Sequence, residues 1–204
     1  FAKLCVQVAD ANHHEMSSHL GRTHLVMEPI AIVTARQLAK NHPLSLLLKP
    51  HFRFMLTNNE LARTRLIGPG GPVDELLAGT LAETVEIGRE ACTTWSLDQF
   101  AFPTELKNRG MDDTNQLPHY PYRDDGLLLW NAIETFASGY LKYFYPTDGA
   151  IVQDVELQSW TQELNSETGG KVKGMPQRID TVQQLIEIVT TVIFTCGPQH
   201  SAVN

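Results

Sequence analysis

Apolar residues recur at helical intervals in several long stretches of this chain, whereas the alternation typical of strands is scarce. The pattern predicts long helices over residues 1 to about 38, 74–95, 123–145 and 155–165, and a last helix capped by Asp180. The last helix is apolar nearly all round, which is typical of a helix at the centre of a core. The predicted fold class is therefore mainly α, with long core helices.

Prolines, glycines and polar residues mark the predicted connections. Pro29 lies inside the first helix and should kink it or remove one of its hydrogen bonds. Asn58 or Asn59 is expected to cap a short helix, and the GPGGP run at 68–72 is the clearest break in the chain. The stretch from Phe102-Pro103 to Arg123 is predicted to be turns and loop.

Composition narrows the class of protein. The 204 residues are 42% hydrophobic and 19% charged, with a net charge of −7, which is typical of a globular protein and argues against a nucleic-acid partner. No apolar run reaches the roughly 18 residues of a transmembrane helix. Cys5, Cys92 and Cys196 are distant and odd in number, so we expect free thiols and a cytoplasmic location.

Both ends of the chain lack helix signals. FAKLCVQVAD begins an apolar pattern with no cap before it, and HSAVN stops inside a helical pattern. We therefore expect residues 1–204 to be an internal portion of a single helical domain in a longer protein. Flanking segments at both ends would then be missing from this sequence.

The stretch HHEMSSHLGRTH, residues 13–24, places His14, His19 and His24 five residues apart. In an α-helix that spacing turns neighbouring imidazoles about 140° from one another, so they cannot share one ion. A π-helix uses i→i+5 hydrogen bonds and nearly stacks such residues. The spacing therefore predicts a π-turn with a ligand pair, either His14/His19 or His19/His24. The alternative is a set of ordinary polar residues on a solvated face.

Two further donors lie near the end of the chain. His200 and Asn204 are four residues apart and share a helix face, and Pro198 upstream should loosen that helix. Nitrogen and amide-oxygen donors without thiolate suit iron better than a closed zinc site. The zinc-protease motif HExxH fails, because Ser18 stands where its second histidine belongs. Taken alone, His200 also fits a core histidine and Asn204 a helix C-cap.

Together these residues resemble the lipoxygenases over the whole chain. The family's histidine run, H-x4-H-x4-H-x17-H-x8-H, is matched without a register slip, and its later H-x3-N is matched in QHSAVN. PHYPYRDDG and RDDGLLLWNAIETF are also similar to segments of the lipoxygenase catalytic domain. The histidines of the run are His14, His19, His24, His42 and His51.

The resemblance implies one non-heme iron per chain. It assigns His19, His24 and His200 as iron ligands and Asn204 as a weaker one, and so selects the His19/His24 pair. The family's remaining ligand, the carboxylate of its C-terminal residue, is absent from this sequence. His14 and the later histidines of the run, His42 and His51, are then expected to form structural hydrogen bonds.

The resemblance also implies a channel for substrate and oxygen. Leu20 and Leu25 follow ligand histidines, and Leu66 and Ile67 would line the same region, although plain core packing explains these four equally well. Ala62 aligns with the family's stereocontrol position, where alanine usually accompanies S products. The alternative for Ala62 is an ordinary helix-forming alanine.

The implied activity is dioxygenation of a polyunsaturated fatty acid. A ferric hydroxide would take a hydrogen atom from the methylene between two cis double bonds, and O2 would then add to the resulting pentadienyl radical and give a hydroperoxide. The expected partners are the fatty acid and O2, with any membrane contact made peripherally through the missing regions. Two alternatives remain: a hydroperoxide isomerase-type relative, and a metal-free helical binding module.

Overall fold

The structure is a computed structural model that describes residues 1–204, and it contains helices and connections but no strand. No helix in it is both long enough and apolar enough to cross a membrane. The prediction of a mainly α fold is confirmed. The α-helices are α1 (Ala2–His13), α2 (Val26–Gln37), α3 (Pro43–Leu48), α4 (Met55–Leu61), α5 (Pro72–Leu76), α6 (Leu81–Thr94), α7 (Phe102–Asn108), α8 (Pro121–Phe144), α9 (Asp148–Gln153), α10 (Val155–Asn165), α11 (Val182–Phe194) and α12 (His200–Val203).

Helix α11 lies at the centre of the core. Ten of its 13 residues are buried, which confirms the interpretation of its all-round apolar pattern. Buried side chains of α2, α8 and α10 join α11 in one large apolar cluster. The helix begins at a capping box in which Thr181 and Gln184 satisfy each other's backbone N–H groups. The core thus fixes α11, and the segment that follows it, relative to α2.

The first 37 residues form one continuous helical rod, as predicted, but its middle section is wound differently. Residues His14–Leu25 form a π-helix between α1 and α2, and the N–H of Val26 donates to Gly21 O five residues back. Pro29 stands five residues after His24 and has no N–H with which to continue the i→i+5 pattern. Beyond this section the rod returns to α-helix and carries Pro29 inside α2.

Four local predictions were wrong, each at an element boundary. The predicted 74–95 helix is broken into α5 and α6, because Thr80 and Glu83 form a capping box that starts a new helix. The supposed loop after Phe102 begins with α7, since Pro103 fits the first turn of a helix. Thr181, not Asp180, caps α11. Asn58 and Asn59 cap nothing, because α4 already begins at Met55.

The π-helix and α6 approach each other closely at Gly21. A Cβ added to Gly21 would lie 2.6 Å from Ala91 Cβ and 2.9 Å from Met16 O. Both distances are shorter than a carbon contact allows, so any side chain at this position must push the two elements apart. Gly88 of α6 also lacks a side chain, and the Met16 side chain lies against Gly88. The absence of a side chain at Gly21 therefore allows α6 to pack this closely against the π-helix.

We predict that Gly21→Ala lowers the free energy of unfolding by about 1–3 kcal/mol, because the added methyl group overpacks this contact. The double variant Gly21→Ala/Ala91→Gly should recover part of the loss, since it removes the nearer of the two clashing atoms. Urea unfolding of the three proteins measures both effects. Equal stability of Gly21→Ala and the parent would contradict the close approach.

Candidate metal centre

The π-helix brings His19 and His24 onto the same side of the rod. Their ring centroids are 5.1 Å apart, and the rings meet edge to face. Residues five apart on an α-helix would instead point about 140° away from each other. The predicted π-turn is therefore confirmed, and it extends over the whole histidine stretch. His14 begins this π-helix but is not part of the resulting cluster.

A second π-turn places His200 opposite that pair. Residues Thr195–Gln199 follow α11 directly, contain Pro198, and end where the His200 N–H donates to Thr195 O. Pro198 has no N–H and cannot make the α-helical bond at its position, which accounts for the looser winding. Because α11 is anchored in the core, the turn carries His200 to the π-helix from the far end of the chain.

Three imidazole nitrogens converge at the junction of these segments. His24 Nε2 lies 2.8 Å from His200 Nε2, and His19 Nε2 lies 3.4 Å from the same atom. Two nitrogens bound at right angles to one ion at about 2.1 Å would be about 3.0 Å apart. His19, His24 and His200 also form the one group of three metal-binding side chains in the structure. The spacing is that of three ligands around a common ion.

Hydrogen bonding to Asn59 fixes which nitrogen of His24 carries the proton. The Asn59 amide nitrogen donates to His24 O at 3.2 Å and to Glu28 Oε2 at 2.7 Å, so its oxygen must be the atom that faces the ring. That oxygen lies 3.0 Å from His24 Nδ1 and can only accept. Nδ1 therefore carries the hydrogen, and Nε2 presents a lone pair to the cluster.

Glu15 fixes His19 in the same way. Its carboxylate accepts from His19 Nδ1 at 3.0 Å, and this hydrogen bond lowers the pKa of Glu15 below its ordinary value. An ionised carboxylate only accepts hydrogen bonds, so Nδ1 of His19 holds a proton, and in the neutral imidazole Nε2 then carries the lone pair. Glu15 and Asn59 thus provide the outer hydrogen bonds typical of metal-binding histidines.

The resulting donor set fits a metal ion. The unprotonated Nε2 atoms of His19 and His24 both face His200, and one N–H on His200 can satisfy only one of them within normal hydrogen-bond geometry. The other lone pair then points at the cluster without a partner. A cation at the centre would engage all three nitrogens at once, and neutral imidazole is the commonest metal ligand. Burial also lowers the pKa of His24 and His200, which keeps both imidazoles neutral.

The fourth predicted ligand lies next to this cluster in the chain. Asn204 follows α12, one helical turn after His200, and is exposed. The role of Asn204 as a weaker ligand stays a prediction.

The predicted channel residues differ in their burial and contacts. Leu20 and Ile67 pack with Met16 and Val73 in a small apolar cluster. Ala62 is buried at the start of a π-turn, Ala62–Leu66, that follows α4. Leu25 is half-buried and Leu66 is exposed. A channel role for these residues stays a prediction, and the packing of Leu20 and Ile67 is that of an ordinary core.

The remaining histidines of the run differ in their contacts. His42 is buried, donates to Asp154 at 3.0 Å and accepts from Leu44 N at 3.1 Å, as expected for a structural role. Burial alone would raise the pKa of Asp154, but hydrogen bonds from His42 and its neighbours outweigh that effect and hold it at about 2. His14 and His51 form no hydrogen bond with other residues, contrary to expectation. His51 lines the cavity that borders His24 and His200, and His14 lines a separate one.

Sequence reasoning missed the residues that orient the ligands. Glu15 was considered only as part of a failed zinc motif, although its position four residues before His19 was a usable signal for a side-chain pair. Asn59 was predicted to be a cap. It lies 35 residues from His24, and nothing in the local sequence indicates that the two residues meet.

Comparison with known proteins identifies the family. A sequence profile described as Lipoxygenase matches residues 1–204. This chain belongs to the lipoxygenase family. The resemblance in the histidine spacing is thereby confirmed over the full length of the sequence.

Individual lipoxygenases and related enzymes are similar to this chain throughout. It is 43% identical over 203 residues to the linoleate 9/13-lipoxygenase of Pseudomonas aeruginosa, covering 100% of this chain and 29% of that protein. It is 37% identical over 205 residues to the human hydroperoxide isomerase ALOXE3, covering 100% of this chain and 28% of that protein. The anaerobic crystal structure of a LOX variant in complex with arachidonate superposes with a TM-score of 0.92 at 38% identity, covering 98% of this chain and 30% of that one.

These lipoxygenase relatives are much longer than the present sequence. The chain spans less than a third of the length of each. The helical fold is nevertheless shared over nearly every residue, as the superposition on the LOX structure shows. The site described above is therefore built within the part of the family fold that this sequence covers.

We predict that the metal-free protein loses stability as the pH falls below 6.5, the ordinary pKa of histidine. Burial lowers the pKa of His24, His51 and His200, so below that pH the unfolded chain binds more protons than the native chain. His200→Asn removes one of the three groups and should make the decline shallower. Urea unfolding between pH 7 and 5 measures the slope.

The matched control for this prediction is His119→Asn, which changes an exposed histidine outside the cluster. The free energy of unfolding of His119→Asn should fall with decreasing pH as steeply as that of the parent protein. A decline in His200→Asn as steep as that of the parent would contradict the assignment of a lowered pKa to the half-buried imidazole of His200.

Proposed function

We propose that this chain is the iron-binding part of a lipoxygenase that adds O2 to a polyunsaturated fatty acid and yields a fatty-acid hydroperoxide. One observation carries the proposal. Three histidine nitrogens from opposite ends of the chain meet, and outer hydrogen bonds turn the lone pairs of two of them toward the third. Family membership supplies the class of chemistry, and the donor set agrees with it.

The proposed ligands are His19, His24 and His200, with Asn204 as a weaker fourth. When bound, a single non-heme iron would supply a ferric/ferrous couple that accepts one electron in the step where the fatty acid loses a hydrogen atom. Neutral nitrogen and oxygen donors suit both oxidation states. The remaining ligand implied by the family, a C-terminal carboxylate, lies outside this sequence.

The side chains around the ligands then have defined tasks. Glu15 and Asn59 hold the protons on the outer nitrogens of His19 and His24, which keeps the inner nitrogens available. A cavity of about 230 Å³ borders His24, His200 and Cys196 and gives access to the cluster. The small side chain of Ala62, together with Leu25, Leu66 and Ile67, is proposed to shape the path along which the fatty acid and O2 approach. Such a path must exclude water, because a radical reacts with groups that a wet site would admit.

A second function is favoured by one comparison. The human protein named a hydroperoxide isomerase is 37% identical to this chain, close to the 43% of the bacterial lipoxygenase. An enzyme of that class would rearrange a hydroperoxide instead of forming it. The same iron ligands would serve both reactions, so product analysis separates them.

A metal-free binding module is the remaining alternative, and iron analysis tests it. The cytoplasmic location stays a prediction.

We predict that the full-length protein contains about one iron per chain and converts linoleic or arachidonic acid to a conjugated diene, followed by ultraviolet absorbance. His200→Ala should lower iron affinity by at least about 100-fold, since outer hydrogen-bonding partners alone contribute 10–100-fold. Diene formation should fall with it. His119→Ala is the matched control and should retain iron and activity. An iron-loaded protein that forms no diene but consumes added hydroperoxide would support the isomerase instead.

We further predict that Ala62→Gly shifts the hydroperoxide products from S toward R. Ala62 is buried, so loss of its methyl group opens space inside the protein at one point beside the proposed oxygen path. Chiral chromatography of the reduced products measures the ratio. Unchanged chirality in an active Ala62→Gly protein would remove Ala62 from the stereocontrol role.

A further inference from the structure

Asn59 binds His24 at two places and is almost completely enclosed. Its side chain is 1% exposed on α4, a helix that contributes no proposed iron ligand. The amide oxygen accepts from the ring of His24, and the amide nitrogen donates to the carbonyl of the same residue. Pro29 lacks the N–H that would reach this carbonyl in a π-helical pattern. Asn59 thus holds both the ring and the backbone of His24 where the π-helix gives way to α2.

Glu28 holds the amide of Asn59 in this orientation. Glu28 Oε2 accepts from Asn59 Nδ2 at 2.7 Å and from Arg63 Nη2 at 2.5 Å. A carboxylate cannot donate, so an Asn59 amide turned the other way would place its oxygen against both Glu28 and the His24 carbonyl. Arg63 holds Glu28 in place through this ion pair, and its own side chain is 45% exposed. A continuous hydrogen-bonded chain therefore runs from the surface to His24.

We propose that Asn59 is a positioning residue for His24, and that the Glu28–Arg63 ion pair makes it so by fixing the orientation of its amide. The proposal rests on the proposed function, because it assigns His24 as an iron ligand. Asn59 acts through His24 and does not touch the substrate. The chain Arg63–Glu28–Asn59–His24 sets the proton on Nδ1, and this leaves Nε2 free to bind the metal.

The same arrangement couples the metal centre to the proposed oxygen path. Ala62 and Arg63 follow Asn59 on the continuation of α4, so Asn59 and Ala62 are one helical turn apart. Because Asn59 is hydrogen-bonded to His24, it sets the distance between this proposed ligand and Ala62, the residue proposed to govern stereochemistry. A loosened Asn59 should disturb iron binding first and product chirality second.

The test is the ferrous-ion affinity of the full-length protein, measured by competition with a chelator. Asn59→Leu keeps the branched shape of the side chain but neither accepts nor donates hydrogen bonds. We expect its affinity to fall 10–100-fold, the usual effect of losing an outer partner of a ligand histidine. Asn59→Asp keeps an acceptor for the His24 ring but sets two carboxylates against each other, so its affinity should also fall.

A rescue variant separates positioning from simple structural support. In Glu28→Gln/Asn59→Asp the amide and the carboxylate exchange places, so the aspartate accepts from His24 Nδ1 and the glutamine donates to the aspartate. This double variant should recover most of the affinity lost in Asn59→Asp, although the His24 carbonyl still lacks its donor. A role confined to packing would not respond to this exchange.

If Asn59→Leu does not fold, two variants of exposed arginines test the same proposal. Arg63→Met removes the cation that holds Glu28, whereas Arg65→Met makes the same change two residues on, where no ion pair exists. We expect weaker iron binding in Arg63→Met and parental affinity in Arg65→Met.

The outcomes distinguish this proposal from the proposed function. Folded Asn59→Leu with parental affinity would overturn the positioning role alone, as would equal affinities of Arg63→Met and Arg65→Met. A parent protein that binds no iron would overturn the proposed function itself.

Discussion

The structure depends on one geometric requirement, that two histidines five residues apart face the same point. An α-helix cannot meet it, and the chain meets it by winding His14–Leu25 with i→i+5 hydrogen bonds. A π-helix is rarely stable alone, so it needs support from outside. Helix α6 gives that support through the contact at Gly21, and the Asn59 amide gives it at the point where Pro29 prevents the pattern from continuing.

The side chains around the cluster decide which imidazole nitrogens carry protons and which present lone pairs. Acceptors on the outer side of His19 and His24 hold the protons there and leave unprotonated nitrogens inside. Burial lowers the pKa of His24 and His200, so both imidazoles stay neutral. A protonated imidazole would repel a metal cation, and a neutral one does not. The two effects act together, since a neutral ring with a fixed proton is the form that a metal ion binds.

The two halves of the cluster are 181 residues apart, and the core joins them. Helices α2 and α11 belong to one apolar cluster. The π-helix that carries His19 and His24 runs directly into α2, and the π-turn that follows α11 ends at His200. The site is thus placed where both segments leave the core. The LOX structure in complex with arachidonate shares the helical fold over 98% of this chain.

The sequence alone determined the helical class, the π-turn, the central position of the last helix, and His19, His24 and His200 as candidates. Each of these depends on local spacing, which a linear pattern records directly. Spacing could not choose between His14/His19 and His19/His24; the family resemblance was needed for that choice. Only the tertiary structure decided that Asn59 and Glu28 orient His24, that α6 fits against Gly21, and that helices break at Thr80 and begin at Met55. The contacts of Asn59, Glu28 and Gly21 join residues distant in sequence, so spacing along the chain carries no record of them. The Thr80/Glu83 capping box is a local signal, but the apolar pattern continues across it and conceals the break.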